Sequence, residues 1–367
     1  MRLMILGFTI AVSLLAGCVQ HSSERQTTAP TKEGSAMVAS AIINRAADYP
    51  QSHASTIAQT SNGDLVAAWF AGLHERHPQV KIYFSRYQQG KWLAAKAVAT
   101  GQQADGSWLP TWNPVLFQPP EGDLHLFYKV GPNPREWWGL VISSADGGQT
   151  WSEPKRLPKG ILGPIKNKPV VTGMGAWLSP SSTEGPEGWR LHFEISKDQG
   201  ESWSKTAPVD PGPGIDAIQP SVLFYPDGRL QALARTKQGV IGSSWSVDRG
   251  KTWSPIAAIE LPNPSAGTDA VTLADGRQLL VYNHAAHNPA TPGKGPRYPL
   301  ALATSRDGVR WQRVLTLEDQ PLKEGYGYPA IIQASDGLVH VTYTVGRERI
   351  KHVVVDPAKL STARVNP

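Results

Sequence analysis

The stretch Ser144-Ala145-Asp146-Gly147-Gly148-Gln149-Thr150-Trp151 decides the fold, because it returns almost unchanged as Ser196 to Trp203 and as Ser246 to Trp253. A shortened copy, Ser305-Arg306-Asp307-Gly308 followed by Trp311, comes next, and Ser85 to Trp92 is a degenerate copy with Tyr87 in place of the Asp. Each copy suits a tight hairpin turn. The Asp side chain can accept from turn amides, the Gly supplies a positive φ and the Trp packs beneath. Fixed-period similarity of this kind is the mark of repeat architectures.

Working outward, a second series runs in step with the first. Short β-rich runs open at His53, Asn113, Asn167, Gln219, Asp269 and Tyr328, at intervals of 60, 54, 52, 50 and 59 residues. Most close at a turn such as Asn62-Gly63, Asp227-Gly228, Asp275-Gly276 or Asp336-Gly337. A second apolar strand follows, as in Leu65 to Phe70, Leu124 to Tyr128, Leu230 to Ala234, Gln278 to Tyr282 and Leu338 to Tyr343. Six units of about four strands predict an all-β, six-bladed β-propeller, with residues near Val38 to Asn44 completing the last blade.

Composition agrees. The 367 residues include 35 Gly and 31 Pro, which excludes long helices, while 40% hydrophobic residues and 13 Trp are enough for a large core. The net charge of +6 comes without a Lys/Arg run, so nucleic acid is not an expected partner. The single Cys, Cys18, excludes an internal disulfide, and the scattered His residues show no metal spacing, so neither metal nor cofactor is expected.

Arg2 precedes an apolar run from Leu3 to Leu15, the charge order of a secretory signal. Leu15-Ala16-Gly17-Cys18 follows directly and resembles the lipobox of bacterial lipoproteins. That resemblance implies a signal peptide over 1–17 and a lipidated Cys18 with a polar tether over 18–36, which leaves 37–367 to the propeller. It implies a place on the bacterial cell envelope, in contact with membrane only through the lipid; a monomer is expected.

Box count, blade spacing and strand openings together resemble the Asp-box (BNR repeat) sialidase superfamily, in its bacterial branch of neuraminidase-like proteins. The resemblance covers roughly residues 45 to 356 and implies an axial pocket for a glycan. Sialidases of this kind hold the substrate carboxylate with three Arg, attack with a Tyr activated by a Glu, and use an Asp acid/base in a first-blade loop. Arg235 matches the second Arg, Arg297 the third, and Tyr328, opening the last blade, the nucleophile.

The departures are as informative. Ser52-His53-Ala54-Ser55 stands where an Arg-Ile-Pro motif is expected, so His53 replaces the first Arg. The Glu that braces that Arg is replaced near Thr344, and a lone Glu there would lack its charge partner. The activating Glu, 16 residues before the second Arg, falls on Gln219, which can orient a phenol but not take its proton. Glu75 is the only carboxylate of the first-blade loop.

The expected site therefore has Glu75, Asp269 and Tyr328 as catalytic groups, with His53, Arg235, Arg297, Gln219 and Lys168 binding substrate. Lys129 and Arg135 would extend the positive field, Trp112, Trp137 and Trp138 would offer stacking surfaces, and Glu184 is a spare carboxylate. The activity this implies is exo-acting hydrolysis of an acidic sugar: sialic acid, a related nonulosonate or a uronate. Gln219 leaves open an inverting reaction by Glu75 and Asp269, a non-catalytic glycan-binding propeller, and a lyase using Tyr328 or His53 as base.

Overall fold

The computed structural model describes residues 35–360 apart from 46, 174, 289 and 291–294. Cys18, the signal and most of the tether lie outside the described residues. The strands form six sheets of four or five strands, each a blade, and every pair in them is antiparallel. Blade one comprises β2 (Gln51–Gln59), β3 (Leu65–Gly72), β4 (Lys81–Gln88) and β5 (Lys91–Trp92), with β6 (Lys96–Ala99) also on β4. Blades two to five run β7 (Thr111–Phe117) to β10 (Lys155–Arg156), β11 (Val170–Val171) to β14 (Ser204–Lys205), β15 (Ala217–Phe224) to β18 (Ala257–Pro262), and β19 (Asp269–Thr272) to β22 (Gln312–Glu318).

Blade six closes the ring. Its inner strands are β23 (Tyr326–Gln333), β24 (Val339–Val345) and β25 (Arg349–Val355), and its outermost strand is β1 (Met37–Ile42), paired to β25 from Ile42 opposite Lys351 to Met37 opposite Val355. The segment expected near Val38 to Asn44 thus fastens the two ends of the chain together. Blade three departs from expectation. Its inner strand is only Val170–Val171, so Asn167, in a bend, and Lys168 lie before the strand and not in it.

Burial explains why the second strands are apolar without a break. On β3, Val66, Ala68 and Phe70 face the seam with blade two, while Leu65, Ala67, Trp69 and Ala71 face the seam with blade six. A strand alternates faces at every residue, so one sandwiched between neighbouring blades needs apolar residues at both parities. Six hydrophobic clusters result, one at each seam between successive blades.

The Asp boxes turn between third and fourth strands. In the first, Ser144 Oγ donates to Asp146 Oδ1 at 2.7 Å and accepts from Gly148 N at 2.7 Å, while Thr150 N donates to Asp146 at 2.9 Å. The second and third boxes repeat this pattern at Ser196/Asp198 and Ser246/Asp248. Gly148 takes φ 88°, and a Cβ there would lie 2.2 Å from Phe84 of the preceding blade. The glycine thus answers both the turn geometry and the seam.

Candidate active site

The inner strands share one irregularity that aims side chains at the axis. In blades one, two, four and six the register slips by one residue just after the strand opens, and the residue at the slip is left-handed: Ala54 (φ 57°), Asn113 (φ 34°), Gln219 (φ 59°) and Tyr328 (φ 50°). These are β-bulges, which bend a strand and redirect a side chain. Pro114, Pro220 and Pro329 follow three of them, at positions where an unpaired bulge residue needs no N–H. Holding a bulky Tyr at positive φ costs on the order of 1–3 kcal/mol, which packing of the surroundings must offset.

Tyr328 is the centre of what these bulges gather. Its hydroxyl accepts from Gln219 Nε2 at 3.2 Å and lies 3.4 Å from Arg235 Nη1. The ring of His53 lies 4.4 Å from its ring, and Lys166 Nζ lies 5.7 Å from its centroid. Arg235 belongs here because strand register pairs it with Ile218, the residue before the Gln219 bulge. The same register position in blade six is Thr344, and its Oγ1 meets His53 Nδ1 at 3.0 Å. His53, expected in place of the first Arg, is thus bonded to Thr344, near which the bracing Glu is expected to be lost.

The surroundings of Tyr328 are strongly cationic. Burial, and then the charges of Arg347, Arg297, Lys166 and Arg235, holds His53 well below the usual imidazole range, so it is neutral. Arg297 falls to about 10 through burial and the charge of Arg235. His53 Nε2, Arg235 Nε and Arg297 Nη1 are buried without a protein partner. Buried donors without partners are costly, and an anion accepting from them would relieve both the desolvation and the mutual repulsion.

Not every expected residue joins this centre. Asp269 accepts from Ser221 Oγ, Ala270 N and Ile331 N, and pairs with Lys168 Nζ at 3.0 Å. Both oxygens are occupied and the residue is 2% exposed, so Asp269 and Lys168 form a strut joining blades three to six. Glu75 is paired with Arg347, from the β24–β25 turn, whose Nε also lies 3.5 Å from Glu324. His53, His74, Glu75 and Arg347 line a cleft between blades one and six, and Glu75 is one-third exposed at its rim.

Lys129 occupies the register position of Arg235 in blade two but is fully buried, with its ammonium on the carbonyl of Pro164. Trp112 is buried with its Nε1 on the carbonyl of Gly131, and Trp138 packs under Arg156, so neither faces the axis as a platform. Trp137 packs against Trp112, and Arg135 lies in the turn where its N–H donates to Asn133 Oδ1. Trp189, opposite Glu184 in register, instead holds Arg235 and Lys237 over its ring at 5.0 and 4.9 Å.

Arg347, Lys166 and Trp189 were not among the residues expected from sequence. The recurrent residue-then-Pro at the strand openings was a readable signal for the bulges. Nothing local marks Lys166, which reaches the Tyr328 ring by tertiary packing alone, while Arg347 lies on the loop after the second strand of the last blade, beside Glu75.

A six-bladed propeller with Asp-box hairpins is the architecture of the Asp-box sialidase superfamily. The chain belongs to the BNR repeat-like domain family, whose pattern matches residues 63–341. It is 24% identical over 245 residues to an anhydrosialidase of Macrobdella decora; the match takes in 60% of this chain and about a third, 31%, of that protein. In fold it is similar to the Hadza microbial sialidase Hz136 (TM-score 0.73, 17% identity, 88% of this chain and 69% of that one). It is also similar to the intramolecular trans-sialidase of Ruminococcus gnavus (TM-score 0.68, 15% identity, 89% and 99%) and to a protein of unknown function from Dyadobacter fermentans (TM-score 0.70, 20% identity, 87% and 98%).

Proposed function

We propose that the protein is an exo-acting glycoside hydrolase for an acidic sugar: sialic acid, a related nonulosonate or a uronate. The observation that carries this reading is the convergence of Arg235, Arg297 and neutral His53 on Tyr328, with a buried, unpartnered N–H or ring nitrogen on each of the three. A sugar carboxylate seated there would accept from both guanidinium groups and place the anomeric carbon near the phenol.

Tyr328 is the group we assign to attack, as the phenolate left when its proton has passed to solvent. Gln219 and Arg235 both present donors to its oxygen, so they stabilise negative charge there as it develops, whereas Gln219 cannot remove the proton. Asp269, held on both oxygens, is assigned a structural role in place of the base suggested by its position in the sequence. Glu75, exposed at the rim, is the acid/base for the departing oxygen and the incoming water; Arg347 divides its charge between Glu75 and Glu324 and orients the former.

The test is incubation of soluble residues 36–367 with a panel of natural acidic glycans and aryl glycosides of neuraminate and glucuronate. Release of the acidic monosaccharide is expected, and products should be resolved into free and anhydro forms. Glu75→Gln should slow natural leaving groups far more than activated ones, since an activated aglycone leaves without a proton. Binding without any release would make the protein a glycan receptor, and an unsaturated product would make it a lyase. On the cell, we assign Cys18 as the lipid-bearing residue; Cys18→Ser should release the protein from the membrane fraction, and its retention there would refute the anchor.

A further inference from the structure

Lys166 is the least expected occupant of the axis. It comes from the segment leading into blade three and is 4% exposed. Its ammonium donates to Asn167 Oδ1 at 2.8 Å, to the carbonyl of Thr268 at 2.9 Å and to the carbonyl of Pro329 at 2.6 Å. Pro329 is the second residue of the blade-six bulge, so this bond fixes the backbone that presents Tyr328. The nitrogen also lies 5.7 Å from the Tyr328 ring centroid, within reach of a cation–ring contact. Gly267 makes the approach possible: a Cβ there would stand 3.0 Å from Lys166 Cε and 3.4 Å from Tyr328 Cδ2.

We propose that Lys166 is a positioning residue for Tyr328, holding its bulge through the Pro329 carbonyl and supplying a positive charge beneath its ring that favours the anionic phenol. The proposal rests on Tyr328 being the reactive group. It accounts for a Tyr at this place with Gln219 where an acceptor of its proton is expected, because cations at the hydroxyl and under the ring act on the phenolate without taking the proton.

The groups facing this pair are few. Asp269, already joined to Lys168, supports the charge of Lys166, while Lys168 and Arg235 oppose it. Around Tyr328 stand Arg235, Arg297 and neutral His53. Burial is the main cause that brings Lys166 down to about 7, so its ammonium is present in full only on the acid side of neutrality.

A matched control exists within the same chain. Lys129 is equally buried and also brought down to about 7, but it bonds Pro164 and its charge is balanced by Glu194, with no contact to Tyr328. Lys166→Met and Lys129→Met should therefore cost comparable stability and differ at Tyr328. Tetranitromethane nitrates the phenolate form of tyrosine and needs no substrate. With peptide mass spectrometry as readout, nitration of Tyr328 at pH 6.5 should fall about tenfold in Lys166→Met, on the scale of losing one nearby positive charge that favours the anion over the neutral phenol, and stay unchanged in Lys129→Met.

Gly267→Ala, which displaces the ammonium and keeps the lysine, should move nitration the same way by less. In turnover of the best glycoside from the panel, Lys166→Met should lower kcat with KM nearly unchanged. Equal nitration of Tyr328 in wild type and a folded Lys166→Met, or an equal fall in Lys129→Met, would overturn the proposal whatever the substrate proves to be. Altered nitration with no turnover of any glycan would sustain it and sink the hydrolase reading alone.

Discussion

The Asp-box hairpins on one face and the inner-strand bulges on the other are both left-handed turns repeated around the ring, yet they are built on opposite principles. The four boxes that carry an Asp use the same residues for the same bonds, Ser to Asp and Asp to the turn amides, because their task is the same in each blade. The bulges keep the backbone and change the residue: Ala54, Asn113, Gln219, Tyr328. Repetition of residues marks scaffold, whereas repetition of geometry with varied residues marks a site where each position does something different.

The largest effect that would sharpen this contrast is on chemistry. Tyr328→Phe should reduce turnover by at least about a thousandfold while leaving Tm within a degree or so, because the ring and its packing remain and only the attacking oxygen is lost. A modest loss of turnover would return Tyr328 to a packing role and break the distinction between the two faces.

Acid should next separate the boxes from the seam that closes the ring. At the seam of blades six and one, Trp92 Nε1 donates to His352 Nδ1 at 3.2 Å and His352 Nε2 lies 3.0 Å from His340 Nδ1. Burial, with the charge of His340, brings His352 down to about 3 from 6.5. The unfolded chain takes up this proton first, so stability falls as the pH drops from about 6.5 towards 3, by several kcal/mol at about 1.4 kcal/mol per unit. Asp198 of the second box, brought down to about 2 by bonds from Ser202 and Ser196, gives up its contribution only as the pH falls below about 3.8. Hydrogen exchange along a pH series should show the blade-six seam opening before the boxes, and His352→Gln should delay it. Simultaneous loss would mean that the ring melts as one unit without regard to these groups.

The smallest effect belongs to the scaffold. Asp248→Ala removes the bonds to Ser246, Lys251 and Thr252 and should lower Tm by about 2–5 °C, with unchanged kcat per folded molecule. A change in kcat would show that the boxes communicate with the axis.

The same contrast explains what could be read from sequence. The boxes repeat visibly, so blade number, strand order and ring closure followed from spacing and apolar runs. His53, Gln219, Arg235, Arg297 and Tyr328 were legible through their places in the repeat, and the structure brings all five together. Asp269 and Lys168 hold equivalent places but turn to each other, a choice set by Ser221 and the amide of Ile331, which no local pattern announces. Lys166 was hidden for the converse reason: it lies outside the strand-opening series and reaches Tyr328 only once distant blades are closed.

The central claim is that the axial pocket reads a sugar carboxylate, and calorimetric titration tests it directly. The acid released in the glycan panel and its methyl ester are each titrated into wild type, Arg235→Ala and Arg297→Ala. The account predicts that wild type favours the acid over the ester by about a hundredfold, on the scale of charge-assisted bonds to buried guanidinium groups, and that each substitution removes most of this preference. Equal binding of acid and ester to the wild-type protein would contradict it.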